Sequence, residues 1–152
     1  MSGSGFLIYA KDKFNENIFL VFKSFDNDNS LGSRCFDIPK GGIDPGENSY
    51  ISAIRELEEE AGLTLDDIEI LKDKENKDIT FFVPSDSSDK RLSLMIAKIK
   101  DESLSKITLE KNPYKEHEYF AWKNCYNCEK VCLEYLKDAF NIGEFLIKNH
   151  EY

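Results

Sequence analysis

Long hydrophobic runs are missing from this 152-residue sequence. The longest covers about five residues, near Ile18–Phe22, against the roughly 20 that a helix needs to cross a bilayer, so no membrane association is expected. Glycine and proline are scarce, at 8 and 4 residues, which excludes collagen-like and low-complexity architectures. Positive charge is the minority sign: 20 Lys and Arg face 29 Asp and Glu, for a net charge of −9. Proteins that grip duplex nucleic acid neutralise its phosphates with a basic face, so duplex nucleic acid is not an expected partner. The first residues, Met1-Ser2-Gly3-Ser4-Gly5, lack the basic segment and apolar stretch of a secretory leader. A cytoplasmic protein is expected. Cysteine is limited to Cys35, Cys125, Cys128 and Cys132. Cys125-x-x-Cys128 followed by Cys132 admits zinc, but structural zinc sites show two clear ligand pairs. Free, partly buried thiols packing as small apolar groups are the expectation.

What is present reads as one domain over residues 1–152, without linker or repeat. Gly5–Tyr9 and Asn17–Phe25 are rich in Phe, Ile, Leu and Val and predict two strands around a short polar connection. Asp26–Ser33 is a polar loop by composition. Cys35–Ile38 is short and apolar, and Lys40–Glu47 carries Gly-Gly and Pro-Gly pairs that predict an irregular loop. Asn48 or Ser49 can cap a helix over Tyr50–Ala61, with Ile51, Ile54, Leu57 and Ala61 on its core face and Gly62 as its stop. Ile68–Leu71, Ile79–Val83, Leu92–Ile99 and Glu118–Trp122 predict strands, with a turn at Ser85–Asp89. The three C-terminal cysteines fall where a helix begins. From Glu129, the spacing of Val131, Leu133, Leu136 and Phe140 predicts helix, broken or bent at Asn141–Gly143 before a last turn at Glu144–Lys148. This order predicts an α+β domain with a mixed sheet between helices.

The informative segment is the first helix. At about 100° per residue, Glu56, Glu59 and Glu60 fall on one side, where like charges repel. Hard divalent cations cancel such charge, because Mg²⁺ and Mn²⁺ prefer oxygen ligands and share them with substrate phosphates. The glycine turn ahead of the helix can add a backbone carbonyl, and Lys40 a cation for a phosphate. Alone, a glutamate-rich helix is more often a solvated face balanced by Arg55 and nearby lysines.

Read together, Gly41-x5-Glu47-x7-Arg55-Glu56-Leu57-x-Glu59-Glu60-x-Gly62-Leu63 resembles the Nudix box, matching every defined position. The resemblance implies the Nudix fold, an α/β/α sandwich around a mixed sheet. It also implies Mg²⁺- or Mn²⁺-dependent hydrolysis of a nucleoside diphosphate linked to another moiety. It assigns Glu56, Glu59, Glu60 and the Gly41 carbonyl to the metal. Glu59, Glu56, Arg55 and a downstream Glu116 are the expected catalytic set, with the choice of general base open among Glu56, Glu59, Glu116 and Glu118. Arg55 and Glu47 look like a pair that orients the helix carboxylates.

Two further segments are similar to diadenosine tetraphosphate hydrolases. Phe36-Asp37-Ile38-Pro39-Lys40-Gly41-Gly42 resembles W-x-x-P-K-G-H, with Gly42 in place of the histidine. Glu116-His117-x-x-Phe120-x-Trp122 resembles E-H-x-x-Y-x-W. These imply a dinucleoside polyphosphate substrate touched by Lys40, Glu47, His117 and Tyr114. Tyr119 or Phe82 could also stack on a base, Trp122 reads as core, and Lys90 and Arg91 read as solvated. A broad ADP-ribose, ADP-sugar or FAD pyrophosphatase, or an NAD or RNA-cap hydrolase, is the alternative. A non-catalytic nucleotide-binding module is a third reading, disfavoured because every box carboxylate is kept. Small members of this kind occur in bacteria and bacteriophages, where a phage enzyme would work in the host cytoplasm. Monomer and homodimer are both left open.

Overall fold

The computed structural model describes residues 2–25, 34–85, 90–112 and 114–150. The loop expected at Asp26–Ser33, and all of the Ser85–Asp89 turn but Ser85, lie outside them. Among the described residues, eight strands form one mixed sheet: β1 (Gly3–Lys11), β2 (Asn17–Ser24), β3 (Phe36–Asp37), β4 (Lys40–Gly42), β5 (Ile68–Ile70), β6 (Thr80–Pro84), β7 (Arg91–Ile99) and β8 (His117–Asn124). The order along the sheet is β3-β2-β1-β7-β5, with β4 pairing β1, β6 pairing β7 and β8 pairing β2. Only the β1–β7 pair is parallel among the described ladders.

The sheet is buried on both faces, and this is why its central strands read as unbroken apolar runs. Along β1, Leu7 and Tyr9 face one cluster while Phe6 and Ile8 face the other. The same alternation places Phe19 and Val21 against Leu20 and Phe22 on β2, and Leu94 and Ile96 against Met95 and Ala97 on β7. One face is covered by α1 (Ser49–Ala61) through Ala53, Leu57 and Ala61. The opposite face is covered by α2 (Cys125–Val131) and α3 (Lys137–His150), which contribute Cys128, Ala139, Phe140 and Ile147. Trp122 packs, half-buried, against the α1-side cluster.

Helix α1 starts where Asn48 Oδ1 accepts the Ile51 amide at 2.8 Å and ends at Gly62, whose φ of 73° is left-handed. Its inward stripe differs from the expected one. Ile51 is 49% exposed, and the buried positions are Ser52, Ala53, Leu57, Glu60 and Ala61. The helix is rolled so that a glutamate enters the interior, where the Lys40 amide meets it.

Two more expectations are corrected. Lys40–Gly42 is not irregular loop but pairs with Gly3–Gly5 of β1. The C-terminal helix does not run from Glu129 to a break at Asn141. The chain instead leaves helical geometry at Cys132, where it bridges to Phe36 and Leu133 N–H donates to the Phe36 carbonyl at 3.0 Å. Helix α3 then passes unbroken through Asn141–Gly143. Gly143 serves packing there: a Cβ at this position would stand 2.6 Å from Leu7 Cδ1, so the missing side chain lets α3 lie close on β1. All four cysteines are free, with Cys128 and Cys132 fully buried. Among the described residues, no helix is long and apolar enough to cross a membrane.

The connections that lead to the site are tied by Asp67. Its carboxylate accepts from the Thr64 amide at 2.9 Å, Ser103 Oγ at 2.7 Å and Lys106 Nζ at 3.0 Å. Burial alone would raise its pKa, but these donors prevail and hold it at about 2. A carboxylate with a depressed folded pKa stabilises the fold above its unfolded pKa and loses that contribution as pH falls through the folded value. Asp67→Asn is therefore expected to cost about 2 kcal/mol at neutral pH. Urea unfolding should show that difference shrinking from about pH 4 downward.

Candidate active site

Every backbone element around Gly41 serves to bring charge together. Arg55, on α1, holds the arrangement through its guanidinium. Nε and Nη2 donate to the two Glu47 oxygens at 2.8 and 3.0 Å. Nη1 donates to Glu56 at 2.9 Å and to Glu59 at 3.4 Å. Nη2 also donates to the Gly42 carbonyl at 3.0 Å. The loop before the helix and the carboxylates on the helix are thus oriented by one side chain whose charge does not titrate in the working range. Glu47 is fully engaged in this: besides Arg55, its Oε1 accepts the Asp44 amide at 3.0 Å.

Glu56, Glu59, Glu60 and Glu116 line one depression of about 250 Å³, together with Tyr114 and Gly42. Glu56 leans over Gly41 so closely that a Cβ there would lie 2.2 Å from its Oε1. Burial raises the Glu56 pKa, Arg55 opposes this, and Glu59 and Glu116 add to it. Glu60 is deeper. Its Oε1 accepts the Lys40 amide at 2.8 Å, and burial, reinforced by Asp37 and Glu56 against the pull of Lys40, pushes its pKa up to about 9. Glu59 accepts from Arg55 only at 3.4–3.5 Å, so it is held more loosely than Glu56 at 2.9 Å or Glu60 at 2.8 Å.

The second half of the site arrives on the segment before β8. Asn112 Oδ1 accepts the Tyr114 amide at 2.9 Å, and Lys115 adopts a left-handed φ of 48°, a turn that presents Glu116 to the depression. The β2–β8 register then shifts between Lys23 and Ser24, where Ser24 meets His117 rather than Glu118. Such a bulge re-aims side chains. His117 turns to the α1 side and stacks on Phe22 at 4.9 Å, while Glu118 faces outward to Lys23 at 3.4 Å. Burial lowers the His117 pKa, against Asp37 and Glu116.

Lys40 lies at the start of β4, next to Gly41. Its Nζ is 3.2 Å from Asp37 and 5.4 Å from the centre of the Tyr135 ring. Burial alone would lower its pKa, but these two neighbours raise it above the ordinary lysine value. With Lys90 and Tyr135 it lines a second depression of about 200 Å³, which shares Gly42 with the first. Tyr114 is widely exposed at the first depression. Phe82 and Tyr119 are exposed but line neither. Asp37 is a member of the charge cluster that the sequence did not single out.

A divalent cation fits this donor set. Five carboxylates, Asp44, Glu56, Glu59, Glu60 and Glu116, share one depression with one guanidinium, and the buried His117 Nδ1 beside them has no hydrogen-bond partner. The carboxylate oxygens, with the imidazole beside them, match the chemistry of Mg²⁺ or Mn²⁺ ligands. The Gly41 carbonyl oxygen lies 2.9 Å from where a Cβ on Gly3 would stand, on the β1 side.

The family model of the NUDIX domain matches residues 1–144. An asymmetrical bis(5′-nucleosyl)-tetraphosphatase of Caenorhabditis elegans is 29% identical over 107 residues, 70% of this chain and 63% of that protein's length. The crystal structure of a C. elegans Ap4A hydrolase binary complex superposes with a TM-score of 0.66 at 25% identity, covering 99% of this chain and 95% of that one. A mutT/nudix family protein from Listeria innocua reaches a TM-score of 0.70 at 19% identity, covering 99% and 95%.

Gly41→Ala tests the close contact with Glu56. The clashing atoms end a flexible side chain, so the fold should lose less than about 1 kcal/mol. The carboxylate must swing away, and Mn²⁺ affinity, read by electron paramagnetic resonance of the free ion, should fall about tenfold.

Proposed function

The chain belongs to the Nudix family, and from that premise we propose that it is a metal-dependent pyrophosphohydrolase acting on a dinucleoside polyphosphate, diadenosine tetraphosphate being the representative substrate. One observation carries the reading: the carboxylate depression and the lysine depression meet at Gly42. A chain of phosphates can therefore run from carboxylates to cations across the glycine turn. The similarity to the nematode tetraphosphatase supports the same choice.

Mg²⁺ or Mn²⁺ held by Glu56, Glu59, Glu60 and Glu116 would neutralise phosphate oxygens and acidify a water. Arg55 keeps Glu56 and Glu59 in place while that charge is present. Glu59, held more loosely by hydrogen bonds than Glu56 or Glu60, takes the proton of the attacking water. Tyr114 offers an exposed aromatic face to a base, and Lys40 and Lys90 receive the distal phosphates as point charges. Addition of one water to diadenosine tetraphosphate then yields ATP and AMP.

A product-resolved panel of diadenosine tri- and tetraphosphate, ADP-ribose, FAD, NAD and nucleoside triphosphates is the test. ATP plus AMP from the tetraphosphate is the expected result. Preference for ADP-ribose or FAD would move the enzyme to broad-range diphosphate cleavage, and no turnover with intact metal binding would favour a nucleotide-binding module. Glu59→Gln should lower kcat by about 100-fold or more, and retained activity would reassign the base. Lys90→Ala should raise KM for the tetraphosphate about three- to tenfold, with little change for ADP-ribose, which has fewer phosphates to place.

A further inference from the structure

Glu60 of α1 and the adjoining pair Glu116 and His117 place one ligand atom each within 4.8 Å of one another. His117 is only 9% exposed, and its Nδ1 is buried without a hydrogen-bond partner. Buried polar atoms are rarely left so. The nearby acceptor is Glu60 Oε2, at 3.7 Å, which is beyond hydrogen-bond reach. The other Glu60 oxygen is already taken by the Lys40 amide at 2.8 Å. Oε2 and Nδ1 thus border the same space without touching. In an octahedral site, neighbouring ligand atoms stand about 3 Å apart and opposite ones about 4 Å. The observed 3.7 Å falls between those limits. The Phe22 stack fixes the imidazole plane, and the bulge at Ser24 points the ring toward Glu60.

We propose that His117 Nδ1, Glu60 Oε2 and a Glu116 carboxylate oxygen form a mixed nitrogen–oxygen site for a divalent transition-metal cation. This rests on the reading that the carboxylate depression binds metal, and it deepens it. Imidazole suits borderline cations, whereas Mg²⁺ favours oxygen alone and keeps its waters. The chain is therefore biased toward Mn²⁺ or Co²⁺ over Mg²⁺ at this position. Three protein ligands leave coordination positions for water or a phosphate oxygen.

The test is pulsed electron paramagnetic resonance of Mn²⁺ bound to the full chain, with unlabelled and ¹⁵N-histidine protein compared. The expected result is nitrogen modulation whose frequency changes with the label. The chain holds two histidines, His117 and His150, so the modulation should survive His150→Gln and vanish in His117→Gln. Calorimetry of His117→Gln should show Co²⁺ affinity reduced at least about tenfold and Mg²⁺ affinity changed less than about threefold. Should His117→Gln fail to fold, survival of the labelled signal in His150→Gln still assigns it to His117. Bound Mn²⁺ without nitrogen modulation would overturn this proposal and leave the carboxylate site standing. Modulation lost in His150→Gln would overturn it as well. Absence of any Mn²⁺ binding would overturn both.

Discussion

Repulsion among carboxylates is the constraint around which the site is organised, and Arg55 is the group that contains it. Acidic side chains crowd the residues around Gly41, and the Arg55 guanidinium contacts Glu47, Glu56 and Glu59 together with the Gly42 carbonyl. Its planar fork spreads donors in fixed directions, which an ammonium cannot do. The pairing with Glu47 fixes the turn, the turn fixes Gly41, and Gly41 leaves the space that Glu56 occupies. The remaining negative charge is left for a cation to balance. The chain spans 63% of its nematode relative's length, yet this local logic is complete within Gly41–Leu63.

The scaffold contributes precision by being buried on both sides. Helix α1 docks through Ala53, Leu57 and Ala61, and that docking sets how deep Glu60 lies. The second set of groups comes from an edge strand whose register shifts by one residue at its start. Without that shift, alternation would send His117 away from α1 and Glu118 toward it. The site thus joins a rigid helix to an irregular strand end, and each supplies groups the other cannot.

Much of this was legible in the sequence. The box spacing placed the helix, its cap and the glutamate stripe, because capping and helical period are local properties. The order of strands and helices signalled a sheet between helices. Less legible were features decided by tertiary contact. The helix periodicity chose Ile51 as core, but the burial of Glu60 rolled the helix and left Ile51 in solvent. Gly143 read as a helix breaker, because the neighbour that requires its missing side chain, Leu7, is remote in sequence. Asp37 gave no signal beyond its place beside Lys40, and His117 was named from resemblance without its bulge or its unpartnered nitrogen. Of the three C-terminal cysteines, Cys128 and Cys132 are packed in the core.

Trp122 is the sole tryptophan, and its position has an optical consequence. The indole sits on β8 beyond His117, half-buried in the layer that α1 covers. Its emission colour therefore follows the wetness of that layer and is blind to the α2–α3 side. A single intrinsic fluorophore distinguishes loosening of the helix that carries the carboxylates from loosening of the opposite wall, with no dye attached.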